Sequence, residues 1–502
     1  MVRDLASGFN CIRTLLRPPV AHLAHPPDVP CPLTQPNAPL PAWVAADPLV
    51  QKYRALIGDL PWAQFPERST ARPWPGPTPD PRAPFAAAYL VKLHEGKRFM
   101  SDLRAFLIEH PALVYWLGFA RVPDAMAPHG FDVAQTVPKR RHLSTVLRTL
   151  SSPALQFLLS ASVQRLRATL PPDQQASFGD TIAGDTQALL AWVKQNNPKQ
   201  FITEGRLDKT RQPTGDPDCK LGVKKSCNSA PADADGDAPP APTADAVPAS
   251  RLQVGVDILW GYASGIVVTR MPDGTEVVLA ERTRPFNESD PSYFHPLMAQ
   301  VEQRLGRKPR YGAWDTAFDA HYVYDYFDQA GGFAAVPSNP GRKGSGRQFA
   351  PDGTPLCAAR LPMTLEFSYQ HRTALVPHQR EKYRCPLLFP TATGAACPIG
   401  DAHFANAGCT STIAAGAGSR LRHTLDRESA AYQQLYAQRT MVERINSQAE
   451  ALDILHPKLR RGSAIANRNT LTYVLINLRA LSRLRAAAQE GRPVAEPLTL
   501  PA

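Results

Sequence analysis

No run in this chain approaches the roughly 18–20 consecutive apolar residues that a membrane-spanning helix needs, so no span is expected. The first residues lack the continuous apolar core of a secretory signal, because Arg3, Asp4, Arg13 and Arg17 interrupt it. A cytoplasmic location is the simplest expectation. Cysteine is sparse: there are eight, and no two form a C-x-x-C pair. Acidic residues are short of basic ones, 44 against 56, which leaves a net charge of +12. An excess of that sign suits a partner made of phosphate and is not by itself diagnostic.

With 502 residues the chain has room for two or three domains and a substantial core. Residues 18–84 carry eighteen of the 51 prolines, which predicts a largely extended N-terminal segment, 1–84, interrupted by a short helix around Pro48–Asp59. From Phe85 the pattern turns helical, and residues 85–175 read as a helical domain. Ser101 is a candidate N-cap, with Leu103, Phe106 and Leu107 at helical spacing and Pro111 ending the run. Two more helices follow, the second opened by Ser152-Pro153 and carrying Leu155, Leu158, Leu159, Ser162 and Leu166 on one face. Lys139, Arg140, Arg141, His142 and Arg148 cluster at the first of this pair. They fit a DNA-binding helix-turn-helix and equally the charged face of a helical bundle.

Residues 176–490 read as a third unit, α/β in class. A short Ile182–Gly184 segment runs into Asp185. The Ala-, Pro- and Asp-rich stretch Ser229–Ser250 cannot bury a core and reads as a disordered loop within the unit. Two β-branched runs joined by Pro272-Asp273-Gly274 predict a hairpin. A helix near Pro296–Leu305 follows. Tyr311–Trp314 then read as a strand ending on Asp315, Ala320–Gln329 as a helix stopped by Gly331-Gly332, and Phe333–Val336 as a second strand. An acid at the carboxyl end of such a strand stands where open α/β sheets place their sites.

The run "YQQLYAQRTMVERINSQAEALDIL" adds Tyr436, Arg439 and Glu443 at Y-x2-R-x3-E spacing. Positions i, i+3 and i+7 share one helix face, while Val442, Ile445, Ala449 and Leu452 form an apolar stripe beside them. A carboxylate for a divalent ion and a guanidinium for a phosphate are thereby offered together. Alone, the pair also reads as an ordinary i, i+4 ion pair.

Taken together, the "D-T" at Asp185, the "D-x-x-[FY]-D" at Asp315 and the helical Y-x2-R-x3-E resemble the catalytic motifs of bacterial insertion-sequence DDE transposases. These enzymes have a ribonuclease-H-like fold, a mixed sheet flanked by helices. The resemblance runs from about Ser177 to Arg485 and includes the tail "HPKLRRGSAIANRNTLTYVLINLRAL", similar to the family's closing helix. It implies that Asp185, Asp315 and Glu443 hold two Mg²⁺ ions, which Mn²⁺ can replace, and that Tyr436 and Arg439 are the accessory pair. It also implies strand cleavage and strand transfer at transposon ends, DNA as partner, a homodimer on that DNA, and a place at the nucleoid. Asp257 in "VGVDILWGY" is a rival first acid, and Asp319 is a rival to Asp315 that suits a helix cap. The chain departs from the family at Glu450, where a phosphate-touching Lys is frequent. Arg444 and Lys458 are the neighbouring bases that could replace it.

An insertion at about 340–425 collects Cys357, Cys385, Cys397 and Cys409. Three or four thiols there could hold a structural zinc, although their spacing departs from the usual ligand patterns.

Overall fold

A computed structural model describes residues 31–67, 80–197, 206–225, 256–338 and 347–490. The Ser229–Ser250 loop lies outside the described residues.

The N-terminal segment is not extended where it is described. Pro48 opens helix α1 (Pro48–Ile57), with the Asp47 carboxylate accepting from Val50 N at 2.9 Å. Proline costs a helix nothing at its first turn, where the missing N–H would have no partner. Val50, Tyr53, Ile57, Trp62 and Phe65 are buried, and both Glu67 oxygens accept from the backbone N–H groups of Arg82 and Ala83 that open the next helix. The short helix expected around Pro48–Asp59 is thus present, and around it the described prolines start or bound short packed elements instead of an extended chain.

Helices α2 (Ala83–His94), α3 (Met100–Glu109) and α4 (Pro111–Leu117) follow. Ser101 does not cap α3. The Asp102 carboxylate reaches back to Phe99 N at 3.0 Å and takes that place. Helices α5 (Arg140–Thr149) and α6 (Ser152–Arg167) form the pair expected from the sequence, with the cap one residue earlier, at Ser151. The apolar face of α6 is buried as its spacing predicts.

The main sheet contains β1 (Thr181–Leu190), β2 (Lys220–Lys225), β3 (Val256–Arg270), β4 (Glu276–Pro285), β5 (Tyr311–Trp314) and β6 (Phe333–Ala335). Its order is β2-β3-β1-β5-β6, with β4 paired to the far half of β3. β3 runs antiparallel to β1, whereas β5 and β6 run parallel to it. The β3–β4 hairpin turns at Gly274, whose φ of +87° suits a residue without Cβ. Helix α7 (Phe294–Leu305) packs on β3 and β4, and α8 (His321–Asp328) links β5 to β6. The insertion forms an antiparallel sheet of β7 (Thr364–His371), β8 (His378–Arg384) and β9 (Thr410–Ala414), followed by α9 (Ala417–Thr424).

Helices α10 (Ala430–Ala437), α11 (Thr440–Glu450) and α12 (Gly462–Gln489) close the chain. Helix α12 is buried over most of its length and packs against α6 and β4. Its asparagines fix that packing. Asn477 accepts from Val278 N and donates to Val278 O, Asn469 donates to Thr283 Oγ1, and Asn467 donates to the end carbonyls Leu147 O and Leu150 O of α5. A buried amide satisfied on both sides, as Asn477 is, defines register, because a slip would strand it without partners. The N-terminal helices thus share one apolar core with the sheet.

Candidate active site

Asp185 does not end its strand. β1 runs on to Leu190, so Asp185 sits mid-strand, level with the end of β5. The parallel register ends by pairing Gly184 with Trp314, on strands about 4.8 Å apart, so Asp185 and Asp315 are the next residues along their two chain segments, Asp315 as the cap of a short turn. Gly184 has a packing reason. A Cβ there would stand 2.1 Å from the Trp314 ring. Just beyond, Asp315 accepts from Ala317 N at 2.9 Å, and Asp185 accepts from Thr186 N at 2.7 Å.

The Y-x2-R-x3-E run is not one continuous α-helix. Between α10 and α11 the backbone tightens to i→i+3 bonds: Arg439 N to Tyr436 O, Met441 N to Gln438 O and Val442 N to Arg439 O. Such a turn brings i and i+3 nearly into line, so Tyr436 and Arg439 stand one above the other. Tyr436 stacks on Tyr432, their rings 6.0 Å apart and 13° from parallel. Arg439 bridges the acids: one terminal nitrogen is 2.7 Å from Glu443 Oε1 and the other 3.8 Å from Asp185 Oδ2. Two of the three expected acids are therefore linked through the expected arginine. The third, Asp315, adjoins the first through the strand register. The Glu443 side chain is 55% exposed, so the cluster opens to solvent on its helix side.

Asp257 lies on β3 opposite Lys224, nine residues along the strand from Ile266, the partner of Asp185. That is about 30 Å from Asp185 at the rise of an extended chain, so the strand register separates this rival from Asp315. Asp319 does not cap α8. Its buried carboxylate is gripped by the Arg422 guanidinium at 2.9 and 2.8 Å and accepts from Tyr324 Oη at 2.9 Å.

Glu450 accepts from Gln187 Nε2 at 2.8 Å, which ties α11 to β1 beyond Asp185. Arg444 is engaged by Glu276 at 2.6 Å. Lys458 instead faces a cavity beside Trp192, with its ammonium 6.0 Å from the ring centroid. On α5, Lys139, Arg140, Arg141 and Arg148 are exposed, while Leu143, Val146 and Leu147 point into the core. Helix α6 is held against the sheet, where Gln156 donates to Glu281 and Gln164 to Arg304 O. The outward face of α5 is what this pair offers a partner. A second helix free to enter a groove is not part of the arrangement.

Among the described residues, no group of three or more His, Cys, Asp or Glu is close enough to hold a metal ion. For the cysteines this runs against a zinc site. Cys357 and Cys385 are buried, Cys397 and Cys409 are half-buried, and burial pushes the Cys409 thiol up to about 11. For the acids, the donor chemistry suits a hard divalent ion, but the Arg439 guanidinium stands between Asp185 and Glu443 as their counter-charge. An ion could join these carboxylates once that side chain turned away.

Sequence reasoning missed Trp192 and Arg460 beside it, although a tryptophan next to Lys194 and the later run "HPKLRR" was a signal. No family model matches the chain, and no curated protein is significantly similar to it.

Proposed function

We propose that this protein is a DDE transposase with a ribonuclease-H-like catalytic unit, cutting DNA at insertion-sequence ends and joining the freed 3′ ends to target DNA. One observation carries the reading: Asp185 and Asp315 are neighbours across parallel strands, and Arg439 links Asp185 to Glu443. The sheet order supports it too, since a parallel trio, β1-β5-β6, continued on the β1 side by an antiparallel hairpin is the arrangement of ribonuclease-H-like folds. The net charge of +12 and the bare basic face of α5 suit a DNA partner.

In this reading Asp185, Asp315 and Glu443 would hold Mg²⁺. Bound divalent ions make water or a 3′-hydroxyl a better nucleophile and stabilise the departing oxygen. The chain's own groups do the positioning. Arg439, released from the acids, is the cation nearest to meet a phosphate oxygen. Tyr436, stacked on Tyr432, fixes the turn that aims Arg439 and Glu443. In cleavage, water attacks phosphorus and the 3′-oxygen leaves with a proton. In transfer, that 3′-hydroxyl attacks a target phosphorus and a new P–O bond replaces the old one. The DNA complex would be a homodimer at the nucleoid.

The test uses DNA carrying the inverted repeats that flank the gene, incubated with the full chain and Mg²⁺ or Mn²⁺. Metal-dependent nicking at the repeat ends, followed by joining to a plasmid, is expected. Cleavage without joining would identify a nuclease. Specific binding without cleavage would point to a decayed transposase. Neither binding nor cleavage would overturn the proposal.

A further inference from the structure

Beyond β1 the chain builds a second site some distance from the acids. Leu190 N donates to Leu455 O, and Ala191 N donates to Trp260 O. Asn196 locks the turn, with Nδ2 donating to Ala191 O and Trp260 O and Oδ1 accepting from Trp260 N. The backbone that carries Trp192 is thus pinned on both sides. Its indole is nonetheless 44% exposed, while Trp62, Trp260 and Trp314 are fully buried. Packing alone does not account for a rigid platform that holds an open aromatic face, since burial of that ring would stabilise the fold.

The surroundings state what the face would meet. It borders a cavity of about 430 Å³, within the range of small-ligand sites. Lys194, His456, Lys458 and Arg460 line it, and no carboxylate does so among the described residues. The Arg460 guanidinium lies 5.0 Å from the Trp192 ring centroid, and its Nε donates to Trp192 O at 3.4 Å. Cations around an exposed ring, without acids to neutralise them, fit a flat aromatic ligand that carries phosphates. Trp192 is seven residues past Asp185, about 23 Å along an extended chain, or six to seven nucleotide steps of 3.4 Å.

The geometry points to an unpaired nucleotide of the DNA strand, its base stacked on Trp192 and its phosphates met by Lys458, Arg460 and Lys194. The inference rests on the DNA-processing reading and deepens it by naming a single-strand subsite remote from the acids. A duplex cannot offer a base face to Trp192 without unstacking, so the site prefers single-stranded DNA.

The experiment titrates the full chain with fluorescently labelled oligothymidine and with a duplex of equal length, read by anisotropy at several salt concentrations. Base stacking on an aromatic is worth roughly 5- to 150-fold in affinity, the equivalent of about 1–3 kcal/mol. Trp192→Ala should weaken oligothymidine binding by that factor, spare the duplex and keep the salt slope. Trp192→Phe should restore most of the affinity. Lys458→Gln should lower the single-strand salt slope by about 0.7. A Trp192→Ala protein with unchanged melting temperature that binds oligothymidine like the parent overturns the subsite. So does an equal loss on both DNAs. If such a protein still cleaves with Mg²⁺, the transposase reading survives that failure. If the parent binds neither DNA, both fall.

Discussion

Two carboxylate clusters about the main sheet behave oppositely. At the Asp185–Arg439–Glu443 cluster the side chains are partly exposed, one ion pair is long at 3.8 Å, and the glutamate opens to solvent. At Glu281 the carboxyl is 3% exposed and wrapped by Gln156 and Thr470, with Arg304 nearby. Burial pushes Glu281 up to about 7 and pulls Arg304 down to about 10, so desolvation outweighs their attraction. The buried network fixes how α6, α7 and α12 meet β4 and is closed off from solvent by the protein itself, with Glu281 Oε2 left without a hydrogen-bond partner. The open one is loosely paired and can change partners. On the proposed function, the open cluster is the one that would take an ion or a phosphate.

The contrast is sharpest in variants that keep shape and remove charge. Asp185→Asn, Asp315→Asn and Glu443→Gln should each lower cleavage by on the order of 10³-fold, because each deletes a carboxylate that would hold the divalent ions opposite the reacting phosphate. Their stability should change by less than about 1 kcal/mol, as expected of exposed pairs. Asn at 315 can still accept from Ala317 N, so the turn survives. Paired cleavage assays and thermal melts check this. Full cleavage by Asp315→Asn would remove the acid from the mechanism, and a large drop in melting temperature would make the open cluster structural.

Glu281 should respond in the other direction. Its folded value lies above the ordinary 4.5, so the folded state holds the proton more tightly than the unfolded chain. Stability from this group is fully present below pH 4.5 and is lost as pH rises to about 7, by on the order of 3 kcal/mol. Glu281→Gln keeps an acceptor for Gln156 and Thr470 and cannot ionise. It should match the parent near pH 4.5 and exceed it at pH 8. Melting curves across that range decide, and a constant difference between the two proteins would show that Glu281 does not titrate in this window.

These clusters also show what was legible in advance. Asp185, Asp315, Arg439 and Glu443 were singled out by their resemblance to the DDE motifs, while apolar patterning marked the strand before Asp315 and Pro272-Asp273-Gly274 marked the hairpin. The tightened turn at Arg439 left no mark, since every residue there keeps right-handed helical preference. The compact Pro-rich start was hidden for a related reason: proline at a helix start and proline in an extended chain look alike until Tyr53, Trp62 and Phe65 find a core. Glu281 was invisible because burial of an acid in a β-branched strand depends on α6, α7 and α12 arriving from distant sequence.

The basic face of α5 extends the comparison to charges the protein leaves unpaired. Lys139, Arg140, Arg141 and Arg148 are exposed, and none forms an ion pair with a described carboxylate; His142 is 3.4 Å from Asp80. If the face meets DNA, replacing Lys139, Arg140 and Arg141 with Gln should weaken duplex binding and lower its salt slope by roughly 0.9 for each phosphate no longer neutralised. Cleavage at saturating DNA should barely move, because α5 supplies no group to the acids. Stability should also hold, since the face that packs, Leu143, Val146 and Leu147, is untouched. Titrations at several salt concentrations measure the slope directly. An unchanged slope would make α5 a solvated bundle face and leave end binding to other cations, with the Lys458–Arg460 cleft next in line. A slope that falls while cleavage stays constant would separate the surface that holds DNA from the acids that cut it.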